Sequence, residues 1–268
     1  LTANQLNRKY GFKPAFYSDY AALLKNEKPE AISICTPPEH HFSQLESAFE
    51  KKLPVFCEKP LFWNKNITTN ELEFKLEKLK SYPKTKLLVN TSNSTFLDTV
   101  KDQIDQTKPC KYFYFQFYTQ GPYKKREIAQ DLLPHGLSLL IKLIGQKEIT
   151  LFTEEYDNHN YKCQFVYGGC QVIFDFQENP KGEKALSFTI DDRSFLRIQQ
   201  GQGLSYNVFL KDLSNERLLA VKDPFQIYIS KFFNLCNNLK TKEKKDFNTA
   251  VLNLKLMSEI LLKKCHAG

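Results

Sequence analysis

The sequence predicts two halves of different class: an α/β half over residues 1–92 with a parallel sheet, and an α+β half over residues 93–268 built on a large, mostly antiparallel open sheet. Three observations predict it. Residues 31–36, Ala-Ile-Ser-Ile-Cys-Thr, are a short apolar, β-branched run of the kind buried on both faces of a sheet. After one helix's length a second apolar run, residues 54–57, ends directly in Glu58-Lys59-Pro60. From residue 111 onward the period changes to two, and alternating runs recur between turn residues.

In the first half, Thr36-Pro37-Pro38-Glu39 has a capping hydroxyl, proline in the first turn and an acid three residues on, which is how helices begin. The helix that follows carries Phe42, Leu45, Ala48 and Phe49 on one side. Strand, helix, strand makes a parallel crossover, and ligands of such sheets sit off the carboxyl ends of the strands. Thr36-Pro37 and Glu58-Lys59-Pro60 both lie there, so a lysine and a glutamate face one crevice. A helix over 70–80 and a last parallel strand over 86–90 lead into the second half.

The second half reads as strands over 111–118, 149–156, 161–167, 170–176, 185–190, 195–199 and 206–210, with a turn at Asn179-Pro180-Lys181-Gly182. The aromatic run over 112–118 suits core packing or an interface equally. Within this half, Leu133, Leu137, Leu140, Ile141 and Ile144 define an amphipathic helix ending at Gly145. Asp131 is its expected N-cap, which puts Pro134 in the first turn. Asp131, His135, Ser138 and Lys142 form one polar stripe opposite the apolar face. Helices over 224–237 and 246–263 close the chain, the latter with Phe247, Val251, Leu254 and Leu261 inward.

Composition excludes several classes. No run of eighteen apolar residues and no secretory signal pattern is present, so neither a membrane partner nor export is indicated, and a cytoplasmic location is expected. Seven cysteines stand singly without Cys-x-x-Cys, two of them in the predicted buried strands, which suits reduced thiols. No Cys/His pair has ligand spacing, so no metal is expected. The net charge of +8 is spread among acids without a nucleic-acid fold signature, so no nucleic-acid partner is expected. The run Lys240-Thr-Lys-Glu-Lys-Lys245 reads as a solvated loop. Lys124-Lys125-Arg126, just before Asp131, is placed either to meet an anionic group on a small-molecule substrate or to lie in a solvated turn.

Thr36-Pro37-Pro38-Glu39-His40-His41, then Cys57-Glu58-Lys59-Pro60 one helix later, resembles the core of the glucose–fructose oxidoreductase/inositol dehydrogenase/MocA family. Tyr17-Ser-Asp-Tyr-Ala-Ala-Leu-Leu24 is similar to the segment that precedes it. The resemblance implies a Rossmann-type first domain and a substrate domain whose open sheet makes homo-oligomer contacts. It implies hydride transfer between NAD or NADP and a hydroxyl or carbonyl group of a sugar, polyol or related small molecule. It places Thr36, Pro37, His41, Glu58, Lys59 and Pro60 beside the cofactor, His41 in a structural or cofactor-adjacent role. Asp131-x-x-x-His135 matches the family's Asp-x-x-x-His, so Lys59, Asp131 and His135 become the implied catalytic group. Histidine titrates nearest neutral pH, a carboxylate one turn away favours its cation, and a lysine stabilises negative charge on the reacting oxygen. Ser138 stands where the family often has an acid, on the substrate side.

A dinucleotide domain opens with a strand, a Gly-x-Gly-x-x-Gly turn and a helix. No such turn occurs in the 268 residues: Gly168-Gly169 are adjacent, and Gly201-Gln-Gly203 is followed by Tyr206 in the third position. Residues 4–11 read instead as the helix after a second strand. The expectation is an incomplete Rossmann domain whose glycine turn lies upstream of Leu1, leaving these 268 residues to bind NAD(P) poorly. Two alternatives stand beside it: a cofactor-free relative serving as a binding or scaffold protein, and an NADP-dependent reductase of a non-sugar substrate.

Overall fold

A computed structural model describes residues 11, 14–82, 86–201, 206–237 and 243–262. The predicted helix over 4–11, the glycine at 203 and part of the 240–245 run lie outside them.

The first half holds a three-stranded parallel sheet in the order β1-β2-β3, from β1 (Ile32–Ile34), β2 (Val55–Glu58) and β3 (Leu87–Asn90). Before it, α1 (Tyr20–Asn26) is capped by Asp19, whose carboxylate accepts from the amides of Ala21 and Ala22. α2 (Pro38–Glu50) connects β1 to β2 and buries Leu45, Ala48 and Phe49, while Phe42 packs at the core's margin. The expected hydroxyl cap is not used. Pro37 occupies the cap position, and Thr36 Oγ1 donates instead to Gln44 Oε1 at 2.7 Å. α3 (Thr69–Ser81) is capped by Thr68 and buries Leu72, Leu76 and Leu79.

After β3 the chain turns through a 3-10 helix (Ser92–Thr95) and α4 (Phe96–Val100), two short elements with too few residues for a periodic signal. The second half is an eight-stranded sheet. Its strands are β4 (Tyr112–Thr119), β5 (Ile149–Tyr156), β6 (Asn160–Tyr167), β7 (Cys170–Glu178), β8 (Ala185–Ile190), β9 (Arg193–Gln200), β10 (Asn207–Asp212) and β11 (Leu218–Val221). The order is β11-β10-β9-β8-β4-β7-β6-β5, antiparallel except where β4 lies parallel to β7. β11 is the strand that sequence periodicity leaves out, four residues long at the sheet edge. The aromatic run divides by the pleat. Phe113 and Phe115 are fully buried, whereas Tyr114 and Tyr118 point to the other face and donate to Asp175 Oδ2 at 2.8 and 3.2 Å.

Across the inner face lies α5 (Glu127–Ile144), and α6 (Pro224–Asn237) and α7 (Glu243–Leu262) follow the sheet. α5 starts four residues earlier than its apolar period suggests. Asp131 is therefore inside the helix rather than its cap, and Pro134 is interior, where its missing N–H leaves the carbonyl of residue 130 without a helical donor. Asn253 of α7 donates to the Pro134 carbonyl at 3.0 Å and ties the two helices together. α7 also touches β3 and α3, with Lys255 paired to Glu73 at 3.0 Å, so the last helix bridges both sheets. Enclosed between sheet and α7, α5 buries most of its surface, and the polar stripe read from the sequence is broken up. Ser138 is 2% exposed, and Lys142 pairs with Asp98 at 2.6 Å.

Of the two cysteines expected in buried strands, Cys57 is buried, but Cys35 lies just past β1 and is exposed. No helix among the described residues is long and apolar enough to cross a membrane.

Candidate active site

The site forms where the carboxyl end of β2 meets the first turns of α5. β2 delivers Glu58 and Lys59, and α5 delivers Asp131 and His135 one turn apart on the same side. The Lys59 ammonium forms an ion pair with the Asp131 carboxylate and also donates to the Asp131 main-chain carbonyl at 2.7 Å. Two of its three protons are thus committed to one residue, which fixes where the third is aimed. Burial pushes the Asp131 carboxyl up, but the Lys59 charge and hydrogen bond outweigh it and hold the group ionised, below the usual range.

His135 sits edge-on against Phe117 of β4, with ring centroids 5.1 Å apart. Its Nδ1 is buried without a hydrogen-bond partner. Burial pushes the imidazole down to about 3; the Lys59 and Arg197 charges add to this, and Asp131 only partly opposes it. The expectation of a histidine poised near neutrality, with Asp131 favouring its cation, is corrected here. Asp131 is engaged by Lys59, and desolvation wins. Gly136 permits the approach that buries the ring: a Cβ there would stand 2.8 Å from Phe115 and 2.9 Å from Phe174.

The other residues singled out in the sequence divide. Glu58 accepts from Asn90 Nδ2 at 2.9 Å and braces neighbouring strand ends. His41 is fully buried, and its two ring nitrogens lie 2.7 Å from the Thr36 carbonyl and 2.9 Å from the Pro60 carbonyl. It clamps the Thr36-Pro37 and Lys59-Pro60 segments to each other, so its role is structural and it presents no free polar atom to a ligand. Ser138 Oγ donates to the His135 carbonyl at 2.7 Å and lines a separate cavity with Tyr228, away from Asp131. Arg126 is turned away from the site. Its guanidinium pairs with Glu154 at 2.9 Å and donates to the carbonyls of Ile260 and Leu261 at the end of α7. Lys124 and Lys125 are exposed. The anion-binding reading of this triplet therefore fails for Arg126, which is a helix-end clamp.

A cavity of about 470 Å³ opens beside the pair, lined by Pro38, Glu39, Trp63, Asn64, Tyr123 and Asp131 among others. It lies between the amino end of α2, the segment after Lys59-Pro60 and the amino end of α5. Trp63 is nearly buried, and its indole Nε1 has no hydrogen-bond partner. Three residues of this neighbourhood carry no motif and escape a reading of the sequence. Glu178, at the end of β7, is near enough to Asp131 for the two carboxyl groups to influence each other's charge. Tyr123 donates its amide to Glu178 Oε2 at 2.9 Å. Arg197 of β9 lies over the Phe117 ring at 5.7 Å. Glu178 and Arg197 depend on the sheet register, which brings residues as far apart as Lys59 and Arg197, 138 positions, to act on one histidine. No group of three or more His, Cys, Asp or Glu among the described residues is arranged to hold a metal ion.

Residues 2–85 match the family model described as GFO_IDH_MocA, "Oxidoreductase family, NAD-binding Rossmann fold". Over that stretch the chain is similar to the family's NAD-binding part. An uncharacterized oxidoreductase, YrbE of Bacillus subtilis (strain 168), is 38% identical over 55 residues, which is 20% of this chain and 16% of that protein. Solved structures extend the likeness in fold. An oxidoreductase from Thermotoga maritima superposes with a TM-score of 0.69 at 14% identity, covering 97% of this chain and 83% of the other. A UDP-N-acetylglucosamine 3-dehydrogenase, GnnA of Acidithiobacillus ferrooxidans, gives 0.68 at 16% identity, covering 97% and 85%. These likenesses cover the three-stranded parallel sheet and the large open sheet together.

Proposed function

We propose that the protein is an NAD(P)-dependent oxidoreductase moving hydride between the cofactor and a hydroxyl or carbonyl group of a sugar, polyol or related small molecule. The observation that carries the reading is the meeting of Lys59 and Asp131 beside His135, at the carboxyl end of a parallel sheet and against a polar cavity. The residues fit a nicotinamide. Trp63 supplies a buried, unpartnered donor beside the cavity, and Lys59 and Asp131 supply a charged donor and an acceptor. When bound, the nicotinamide supplies or accepts the hydride.

The chain's own residues handle the proton and the charge. In oxidation, Lys59 turns its remaining proton to the substrate oxygen and stabilises the negative charge that develops there. Asp131 keeps the ammonium in place. His135, neutral and only weakly basic, takes the hydroxyl proton at an unprotonated ring nitrogen and, being only half-buried, releases it to water. Lys59 therefore carries the larger share of the stabilisation. Phe117 holds the imidazole edge-on against the sheet.

The remaining assignments belong to the same reading. Residues 1–92 form the cofactor domain and residues 93–268 the substrate domain. The sheet face bearing Tyr114, Tyr118 and Asp175 is the homo-oligomer contact, and the location is cytoplasmic. The test follows nicotinamide absorbance in a cofactor-competent form of the protein, with NAD(H) or NADP(H) and a panel of sugars, polyols, nucleotide sugars and hydroxy acids. Turnover should be lost in Lys59→Ala and in His135→Ala. Wild-type turnover in both variants would defeat the reading.

A further inference from the structure

We infer that Glu178 is a positioning residue of the Lys59–Asp131–His135 group, a buried acid that keeps its proton beside the ionised Asp131 and so sets the net charge of the cluster around Lys59. The inference rests on the functional reading above for its consequence, but not for its chemistry.

Three geometric facts lead to it. Glu178 closes β7 and has no solvent exposure, an unusual place for a carboxyl. Its Oε2 accepts one hydrogen bond, from the Tyr123 amide at 2.9 Å, while its Oε1 is buried without a donor. The space it fills exists because residue 121 is glycine: a Cβ there would stand 2.1 Å from Oε2. A carboxylate anion with one donor and no water is poorly compensated, whereas a protonated carboxyl needs an acceptor. The adjacent group is the Asp131 carboxylate, held ionised by Lys59.

Two carboxyl groups in contact resist ionising together, and the one without the cation keeps the proton. The groups facing Glu178 are Asp131 of α5, Lys59 after β2, and the Tyr123 segment before α5. His159 meets only the Glu178 main chain, with Nδ1 3.0 Å from its carbonyl. Burial raises the carboxyl to about 7, the Asp131 charge and hydrogen bond adding to it, against the opposing pulls of the Tyr123 amide and Lys59. When Glu178 ionises, its proton leaves to water past the Asp131 carboxylate, which is a third exposed. With Glu178 neutral, Lys59 and Asp131 balance. Once Glu178 ionises, the cluster carries a net negative charge, which holds the Lys59 ammonium more tightly and makes His135 a better proton acceptor.

The experiment is a carboxyl ¹³C NMR titration of the 268-residue chain with labelled glutamate, the Glu178 resonance assigned by its loss in Glu178→Gln. The Glu178 midpoint should lie well above that of an exposed glutamate. Asp131→Asn should lower it by about 1 pH unit or more by removing the neighbouring charge, and Lys59→Met should raise it by removing the cation. An ordinary midpoint overturns the inference. So does a raised midpoint that ignores both substitutions, because that acid is merely buried. Thermal unfolding gives a second readout. A raised native midpoint makes wild-type stability fall as pH rises from about 4.5 through about 7, and Glu178→Gln should remove that slope. If Lys59→Ala and His135→Ala leave turnover intact, the functional reading fails while the titration stands.

Discussion

Lys59 and Asp131 stand 72 residues apart in sequence and meet twice, through the carboxylate and through the main-chain carbonyl at 2.7 Å. The second contact anchors the ammonium to helix backbone as well as to a mobile side chain. Asp131 is a third exposed, so the pair's net stability is modest, about 1 kcal/mol or less. Its consequence for charge on a reacting oxygen is much larger.

That asymmetry gives the first prediction. Lys59→Ala should lower kcat by roughly 10²–10⁴ while costing about 1 kcal/mol or less of unfolding free energy. Asp131→Asn should fall between wild type and Lys59→Ala, because the main-chain contact survives. Kinetics and denaturant unfolding on the same samples decide it. A stability loss of several kcal/mol with normal turnover would make the pair structural.

The second prediction concerns His135. Its native midpoint is depressed to about 3 from an unfolded value near 6.5. A depressed midpoint contributes stability that is complete above about pH 6.5 and is lost as pH falls toward 3. The ¹⁵N shifts of the His135 ring should therefore show a neutral imidazole from pH 8 down to pH 5. Lys59→Met should raise the midpoint, since the ammonium is one of its depressors. Titration centred near 6.5 in the wild type would contradict the burial argument.

How far the sequence carries these conclusions depends on the reach of each interaction. α2, α3 and most strands of the large sheet follow from local periodicity, and residues 149–156, 185–190 and 224–237 fall on the observed β5, β8 and α6 bounds. The start of α5 does not, because Glu127 to Gln130 add two buried apolar residues, Ile128 and Ala129, that precede the recognised stripe. Lys59, Asp131 and His135 came to attention through the resemblance to the family's motifs. Glu178 and Arg197 were not, since only the register of β4 with β7 and the placement of β9 carry them to the site. Arg126 misled for a related reason: sequence shows its distance from Asp131 but not that α7 ends beside it.

Arg126 supplies the third prediction. Arg126→Ala removes the ion pair with Glu154, which is 5% exposed, and two donors to the end of α7. The expected cost is about 1–3 kcal/mol of stability, read by denaturant unfolding. KM should change little in this variant and in Lys124→Gln with Lys125→Gln, because none of the three lines the cavity beside Asp131. A selective rise in KM for an anionic substrate would restore the triplet to the site.

The last prediction tests the close packing that buries His135. Gly136→Ala raises helix propensity by about 1 kcal/mol, and at an exposed position it would stabilise α5. Here the new methyl meets the Phe115 ring at 2.8 Å and the Phe174 ring at 2.9 Å, both in the fully buried aromatic core. Neither ring has free space to turn into, so α5 must lift from the sheet, and overpacking of this kind costs about 1–3 kcal/mol. The net change should be destabilising despite the propensity gain. Lifting the helix also carries the adjacent imidazole away from Phe117 and lets water reach it, so the His135 midpoint should rise in the variant. Unfolding and ring ¹⁵N titration on one sample check both effects. A stabilised protein with an unmoved histidine would show that the sheet, rather than the missing side chain at 136, sets the burial of His135.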